Sequence, residues 1–241
     1  MKNFFKKILI LLAQSIKFVK NHVSSNFKTP YDRFTEDEIN DCYLTFKKHF
    51  YSSIFFETPS EIRDYSIKKS LESYEDENLY LEFGFGVGKS LRLFSNILKD
   101  KKIYSFDAGG GNLLEDWVGY IGHPSYKIRG TRSEKPKDTR KNEELIWGWV
   151  QDTLEPFLKQ HENKKINFVH MDLDTYESSL FVLKKIKPHL KKNSIILFDE
   201  LYNYSGWKVG EYKALIETFN ENEYKYLSFC SKYSQVAIQI L

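Results

Sequence analysis

Gly84, Gly86 and Gly88, each two residues from the next, follow the apolar run Leu79, Tyr80, Leu81, Glu82 and Phe83, with Lys89 and Ser90 directly behind them. A turn without side chains lets a nucleotide approach the backbone, and a helix start behind it offers free N–H groups. Further on, Ile103, Tyr104, Ser105 and Phe106 lead into Asp107. A carboxylate at the end of that second strand can accept hydrogen bonds from both hydroxyls of a ribose. The pair implies a nucleoside-containing cofactor. The G-x-G-x-G spacing departs from the G-x-G-x-x-G of dinucleotide sites. Gly88, Lys89 and Ser90 complete the end of a phosphate-binding loop, but Phe83 stands where that loop needs its leading glycine. A P-loop-like nucleotide-binding ATPase is therefore the alternative reading.

A second group of residues is acidic. Asn167, Phe168, Val169, His170 and Met171 lead to Asp172 and Asp174, and Ile195, Ile196, Leu197 and Phe198 lead to Asp199 and Glu200. Both runs are apolar strands that end in carboxylates, and in an open parallel sheet that end is where ligands bind. Clustered carboxylates repel one another unless a cation lies among them, and hard oxygen donors suit Mg2+, with Mn2+ or Ca2+ as further options. The expected metal ligands are Asp172, Asp199 and Glu200. A cation there can hold both oxygens of a vicinal diol and lower the pKa of one hydroxyl, with Asp174 or His170 taking the proton. The competing role for an acid such as Asp174 is to cap the helix that follows, and His170 also fits a satisfied core position.

The elements that must carry these groups alternate. The pattern predicts strands over 79–84, 102–107, 126–130, 166–172, 194–199, 224–230 and 234–241, and helices over 88–99, 143–161, 176–189 and 209–220. Such alternation means a mostly parallel sheet covered by helices. The last two runs are joined by Ser231, Lys232 and Tyr233, too short for a parallel crossover, so they form an antiparallel hairpin. Ahead of the first strand, Thr35 with Glu38 and Thr58 with Pro59 and Glu61 read as capping boxes opening two helices. The first carries an apolar stripe of Ile39, Cys42, Tyr43, Phe46 and Phe50. Aromatic Trp117, Tyr176, Tyr202, Tyr204 and Trp207 fall near the expected site edge, where they can stack on a ring.

With 241 residues, 41% hydrophobic and 16% aromatic, the chain supports one main domain with an N-terminal extension. The net charge of +3 is the small difference between 36 basic and 33 acidic residues, which argues against a nucleic-acid partner. Cys42 and Cys230 have no pairing or metal spacing, consistent with reduced thiols and a cytoplasmic location. Residues 1–23 place Phe4, Ile8, Leu11, Leu12, Ile16, Val19 and Val23 against Lys6, Lys7, Lys17 and Lys20, a basic amphipathic helix too short in its apolar run to span a bilayer. It suits peripheral contact with an anionic membrane face or packing on the protein or on a second subunit. The organisation expected is a basic helix over 1–23, a helical extension or lid over 24–78, and the main domain over 79–241.

Taken together, residues 81–90, Phe106 with Asp107, the run Glu115, Asp116 and Trp117, residues 170–178, and Phe198 with Asp199 and Glu200 resemble class I S-adenosylmethionine-dependent methyltransferases. Within them the likeness is to the macrocin O-methyltransferase family, which methylates sugar hydroxyls. The resemblance implies an α/β Rossmann-like, seven-stranded, mostly parallel sheet with an antiparallel last strand and helices on both faces. It implies S-adenosylmethionine and Mg2+ as cofactors and a small-molecule or glycan acceptor. Glu82 and the backbone of Gly84, Gly86 and Gly88, with Ser90 nearby, would hold the methionine part of the cofactor, and Asp107 its ribose. Asp172, Asp199 and Glu200 fall on the metal positions, and Asp174 beside that of a general base. The sequence departs from the family in having Glu200 where a second aspartate is usual, and Ala108, Gly109, Gly110, Gly111 and Asn112 after Asp107. A non-catalytic binding protein on the same scaffold would have lost these acids.

Overall fold

The computed structural model describes residues 12, 14–16, 28–72, 78–109 and 139–241. Two compact units divide between Asp37 and Glu38. In the first unit Leu12, Gln14, Ser15 and Ile16 are helical and exposed; the rest of the amphipathic segment, the Glu115, Asp116 and Trp117 run, and the strand expected at 126–130 lie outside the described residues. No helix among the described residues is long and apolar enough to cross a membrane.

Helix α1, Pro30–Phe50, begins earlier than the Thr35 box predicts. Thr29 is the residue that caps it, because the Asp32 N–H donates to Thr29 Oγ1 at 3.1 Å and the Thr29 N–H donates to Asp32 Oδ2 at 2.7 Å. Thr35 instead donates its hydroxyl to the Tyr31 carbonyl one turn back. Of the expected stripe, Cys42 and Phe46 are buried while Ile39 and Tyr43 remain 56% and 55% exposed. Strand β1, Ile54–Phe56, follows, and then α2, Pro59–Leu71, which opens on the predicted capping box of Thr58 and Glu61 with Pro59 in its first turn.

The remaining elements are β2 Leu79–Phe83, α3 Lys89–Leu98, β3 Ile103–Asp107, β4 Glu143–Trp147, α4 Val150–Gln160, β5 Ile166–Met171, α5 Tyr176–Ile186, β6 Leu190–Phe198, α6 Glu211–Thr218, β7 Tyr224–Cys230 and β8 Val236–Ile240. They form one eight-stranded sheet in the order β1-β7-β8-β6-β5-β2-β3-β4. Only β8 runs against its neighbours, pairing antiparallel with β6 and β7, as the short connection required. The eighth strand is β1, which pairs parallel with β7 at the edge.

One expected helix start is corrected. Residues 143–147 belong to β4, paired with β3 from Ile103 opposite Glu143 to Asp107 opposite Trp147, and α4 begins only at Val150. The buried Glu143 carboxylate is satisfied by the Ser95 hydroxyl at 2.5 Å and the Arg140 N–H at 3.0 Å. Those partners are distant or irregular in sequence, and they let a charged residue occupy a strand.

Side chains divide by strand alternation. Leu79, Leu81 and Phe83 enter a core with residues of α1, α4, α5 and α6. Tyr80 enters the opposite core with Ile62 and Ile67 of α2 and Leu91, Phe94 and Leu98 of α3. Glu82 shares the parity of Tyr80, and this positions it under α2 and α3.

Candidate active site

The parallel strands β2, β3, β5 and β6 all end at one edge, and the expected residues converge there. At the end of β2 the chain turns at Gly84, whose φ is +81° and whose N–H donates to the Phe106 carbonyl at 2.8 Å. Helix α3 starts after Gly88 with no side-chain cap, so its first N–H groups face the turn; Ser90 is buried in its first turn. Asp107 braces the same region from β3, its Oδ2 accepting from the Gly86 N–H at 3.1 Å and its Oδ1 from the Gly109 N–H at 2.8 Å.

Beneath this turn runs a file of polar groups crossing four strands. Ser105 lies opposite Glu82, and Glu82 opposite His170. The Ser105 hydroxyl donates to Glu82 Oε2 at 2.6 Å, His170 Nδ1 lies 3.3 Å from Glu82 Oε1, and His170 Nε2 lies 3.4 Å from Asp199 Oδ1. Arg63 of α2 closes the file, with Nη2 donating to Asp199 Oδ1 at 2.5 Å. Burial opposes a charged imidazole, but the hydrogen bonds to Asp199 and Glu82 outweigh it and raise the His170 pKa to about 9. Although burial also opposes its charge, Asp199 is held well below the usual carboxylate range by His170 and Arg63. His170 is fully enclosed and both its nitrogens are engaged. It bridges two carboxylates, and each ring nitrogen has a partner. Glu82 is equally enclosed, with Ser105 and His170 as its partners.

The other acids differ in kind. Asp172, Asp174 and Glu200 each present an oxygen within 4.8 Å of the others, and Asp172 and Asp199 form a similar group with His170. Burial, and then the Asp199 charge, push Asp172 and Glu200 well above the normal carboxylate range. The same causes, with Asp107, raise Asp174 to about 7. Asp174 does not cap α5: Thr175 holds that position without a side-chain cap. It sits instead in the left-handed region at φ +64°, an arrangement aspartate tolerates at some cost. Of the three expected metal ligands, Asp172 and Glu200 thus meet Asp174, while Asp199 Oδ1 is engaged by Arg63 and His170.

Two participants were not found from sequence. Glu211, in the first turn of α6, accepts the Glu200 N–H at 2.8 Å through Oε2 and is itself buried. Arg63 lies on a helix read only for its capping box; neither belongs to a motif that would have signalled it. Among the expected aromatics, Trp207 and Tyr202 pack around Phe46, and the Tyr202 hydroxyl donates to the Cys230 carbonyl. They are core residues. Trp117 lies outside the described residues.

The sheet order and the glycine turn braced by Asp107 define a methyltransferase-type α/β fold. The family described as Methyltransferase domain matches residues 81–201, half of the chain, and the protein belongs to it. Among solved structures it is similar to CalS11, calicheamicin methyltransferase, with TM-score 0.61 and 18% identity over 88% of this chain and 94% of that one. An apo structure described as CalS11, TDP-rhamnose 3'-O-methyltransferase, gives 0.55 and 21% over 75% and 77%. The O-methyltransferase NovP gives 0.52 and 18% over 75% and 78%. No curated protein sequence matches this chain.

Proposed function

We propose that this chain is an S-adenosylmethionine-dependent O-methyltransferase that acts, with a divalent cation, on a sugar hydroxyl. The observation that carries the reading is the meeting of Asp172, Asp174 and Glu200 beside the glycine turn. Similarity to a TDP-rhamnose 3'-O-methyltransferase supports the sugar acceptor, which can be nucleotide-linked or part of a glycan.

The carboxylates fit a cation. Glu200 Oε2 and Glu211 Oε1 are buried without a partner, and four neighbouring acids are all pushed toward protonation. A positive ion relieves both costs. Asp172 and Glu200 would hold Mg2+, with Asp174 and Asp199 adjoining, and the ion when bound would lower the pKa of the acceptor hydroxyl. The cofactor when bound would supply an already activated methyl group.

The chain's own residues then have separable tasks. Gly84, Gly86 and Gly88 let the cofactor approach the backbone, and Asp107 receives its ribose. Glu82, fixed by Ser105 and His170, holds the floor of the turn. Asp174, whose carboxyl is raised to about 7 in the chain without the cation, accepts the acceptor's proton. Glu211 orients Glu200 through its backbone. The test is methyl transfer from labelled S-adenosylmethionine to a panel of nucleotide sugars and glycosides, with Mg2+ and with excess chelator. Labelled sugar that depends on Mg2+ supports the reading; transfer to nitrogen acceptors alone, or transfer indifferent to chelation, contradicts it.

A further inference from the structure

Arg63 brings a cation into an edge otherwise crowded with acids. Its side chain is 19% exposed and its Nη2 is anchored on Asp199. Its Nε is buried and has no partner. A guanidinium is a planar fork of donors, and leaving one donor buried and unpaired costs free energy unless a ligand completes it. The other cationic group of the file, His170, has both nitrogens engaged. Arg63 also lies within electrostatic reach of Asp172 and Glu82 in addition to Asp199.

The cofactor's geometry gives that open donor a purpose. Its amino-acid end carries a carboxylate as well as an ammonium and a sulfonium. The acids supply acceptors for the positive groups, but a carboxylate entering among Glu82, Asp172 and Asp174 needs a cation. Asp107, the ribose-positioned acid, lies on β3, and in the sheet order β2, β5 and β6 follow it toward Arg63. A cofactor whose ribose is at β3 and whose methionine passes the turn after β2 therefore directs its far end toward α2.

We propose that Arg63 binds the α-carboxylate of the cofactor's methionine moiety, with Asp199 serving as the anchor that aims the guanidinium. This rests on the cofactor assignment above. Asp199 is then a positioning residue, which accounts for its engagement away from the Asp172, Asp174 and Glu200 group.

The test is a calorimetric cycle with the full chain in excess chelator. S-adenosylhomocysteine and its decarboxylated analogue are titrated into wild type, Arg63→Ala, Arg63→Gln and Lys68→Ala, the last removing an exposed charge on the same helix that pairs with Asp64. Wild type and Lys68→Ala are expected to prefer the carboxylated ligand by roughly 10- to 100-fold, the range of a charge-assisted hydrogen bond. Arg63→Ala or Arg63→Gln should abolish that preference while leaving the analogue's affinity within about 3-fold of wild type, below the single-bond range. Equal affinity of wild type for the two ligands overturns the proposal, as does a preference that survives in a folded Arg63 variant. Should wild type bind neither ligand, the cofactor assignment falls and this proposal with it.

Discussion

The carbonyl oxygen of Asp172 lies only 1.8 Å from where a Cβ on Gly84 would be. The end of β5 is therefore packed directly on the turn after β2, and the acidic group and the cofactor turn share one wall. Gly84 also has a φ of +81°. Gly84→Ala must shift backbone and adopt a strained conformation at once, so it is expected to lower unfolding stability by about 2 kcal/mol or more. It should also weaken S-adenosylhomocysteine binding. Chemical denaturation and calorimetry check both; Gly84→Ala with wild-type stability and affinity would show that the two strands are not so closely joined.

Asp174→Asn keeps the side-chain shape and tolerance of the left-handed backbone but removes the proton acceptor. The expected result is a fall in kcat of about 10^2- to 10^4-fold with cofactor affinity unchanged. In the metal-free chain this carboxyl is raised to about 7; an adjoining cation favours its charged form, so the kcat profile should show an acid limb below pH 7, activity rising as the group ionises. Stopped assays across pH, with the variant alongside, measure both effects.

The same shift has a sign in stability. Asp174 has an ordinary value of 3.8 and a native value of about 7. As pH rises between them the unfolded chain releases the proton first, so the native state of the metal-free protein loses stability across that window. Asp172, Glu200 and Glu211 are shifted in the same direction. Thermal unfolding in chelator should show a Tm that falls from pH 5 to pH 8 more steeply in wild type than in Asp174→Asn. Mg2+ should raise Tm at pH 8 and do little at pH 5, where protons compete. A Tm insensitive to Mg2+ at pH 8 would count against the cation.

Glu211→Gln preserves an oxygen that can accept the Glu200 N–H while removing a buried charge. Changing a residue that holds a metal ligand in place costs about 10- to 100-fold in metal affinity. The prediction is a loss of Mg2+ affinity in that range with S-adenosylhomocysteine affinity unaltered, read by separate titrations of each.

Much of this was legible in the residues themselves. Gly84, Gly86, Gly88 and Asp107 announce the turn and the acid that braces it because local backbone geometry demands them, and the short link of Ser231, Lys232 and Tyr233 forces the hairpin of β7 and β8. What escaped depends on tertiary partners. Glu143 reads as the start of a helix until Ser95 and the Arg140 N–H satisfy its buried carboxylate. The three residues of β1 have too little pattern to stand out and gain their place only by pairing with β7. Asp172, Asp199 and Glu200 look equivalent at strand ends; Arg63, arriving from α2, is what separates Asp199 from the other two.

The proposed cofactor pocket and acidic cation site adjoin but are expected to bind separately. The most direct measurement is calorimetric titration of the full chain with S-adenosylhomocysteine in excess chelator, followed by Mg2+ titration of the chelator-free complex, for wild type and Asp172→Ala. The account predicts that both proteins bind S-adenosylhomocysteine in chelator and that only wild type then takes up Mg2+. Failure of wild type to bind S-adenosylhomocysteine without metal, or Mg2+ uptake undiminished in Asp172→Ala, would contradict it.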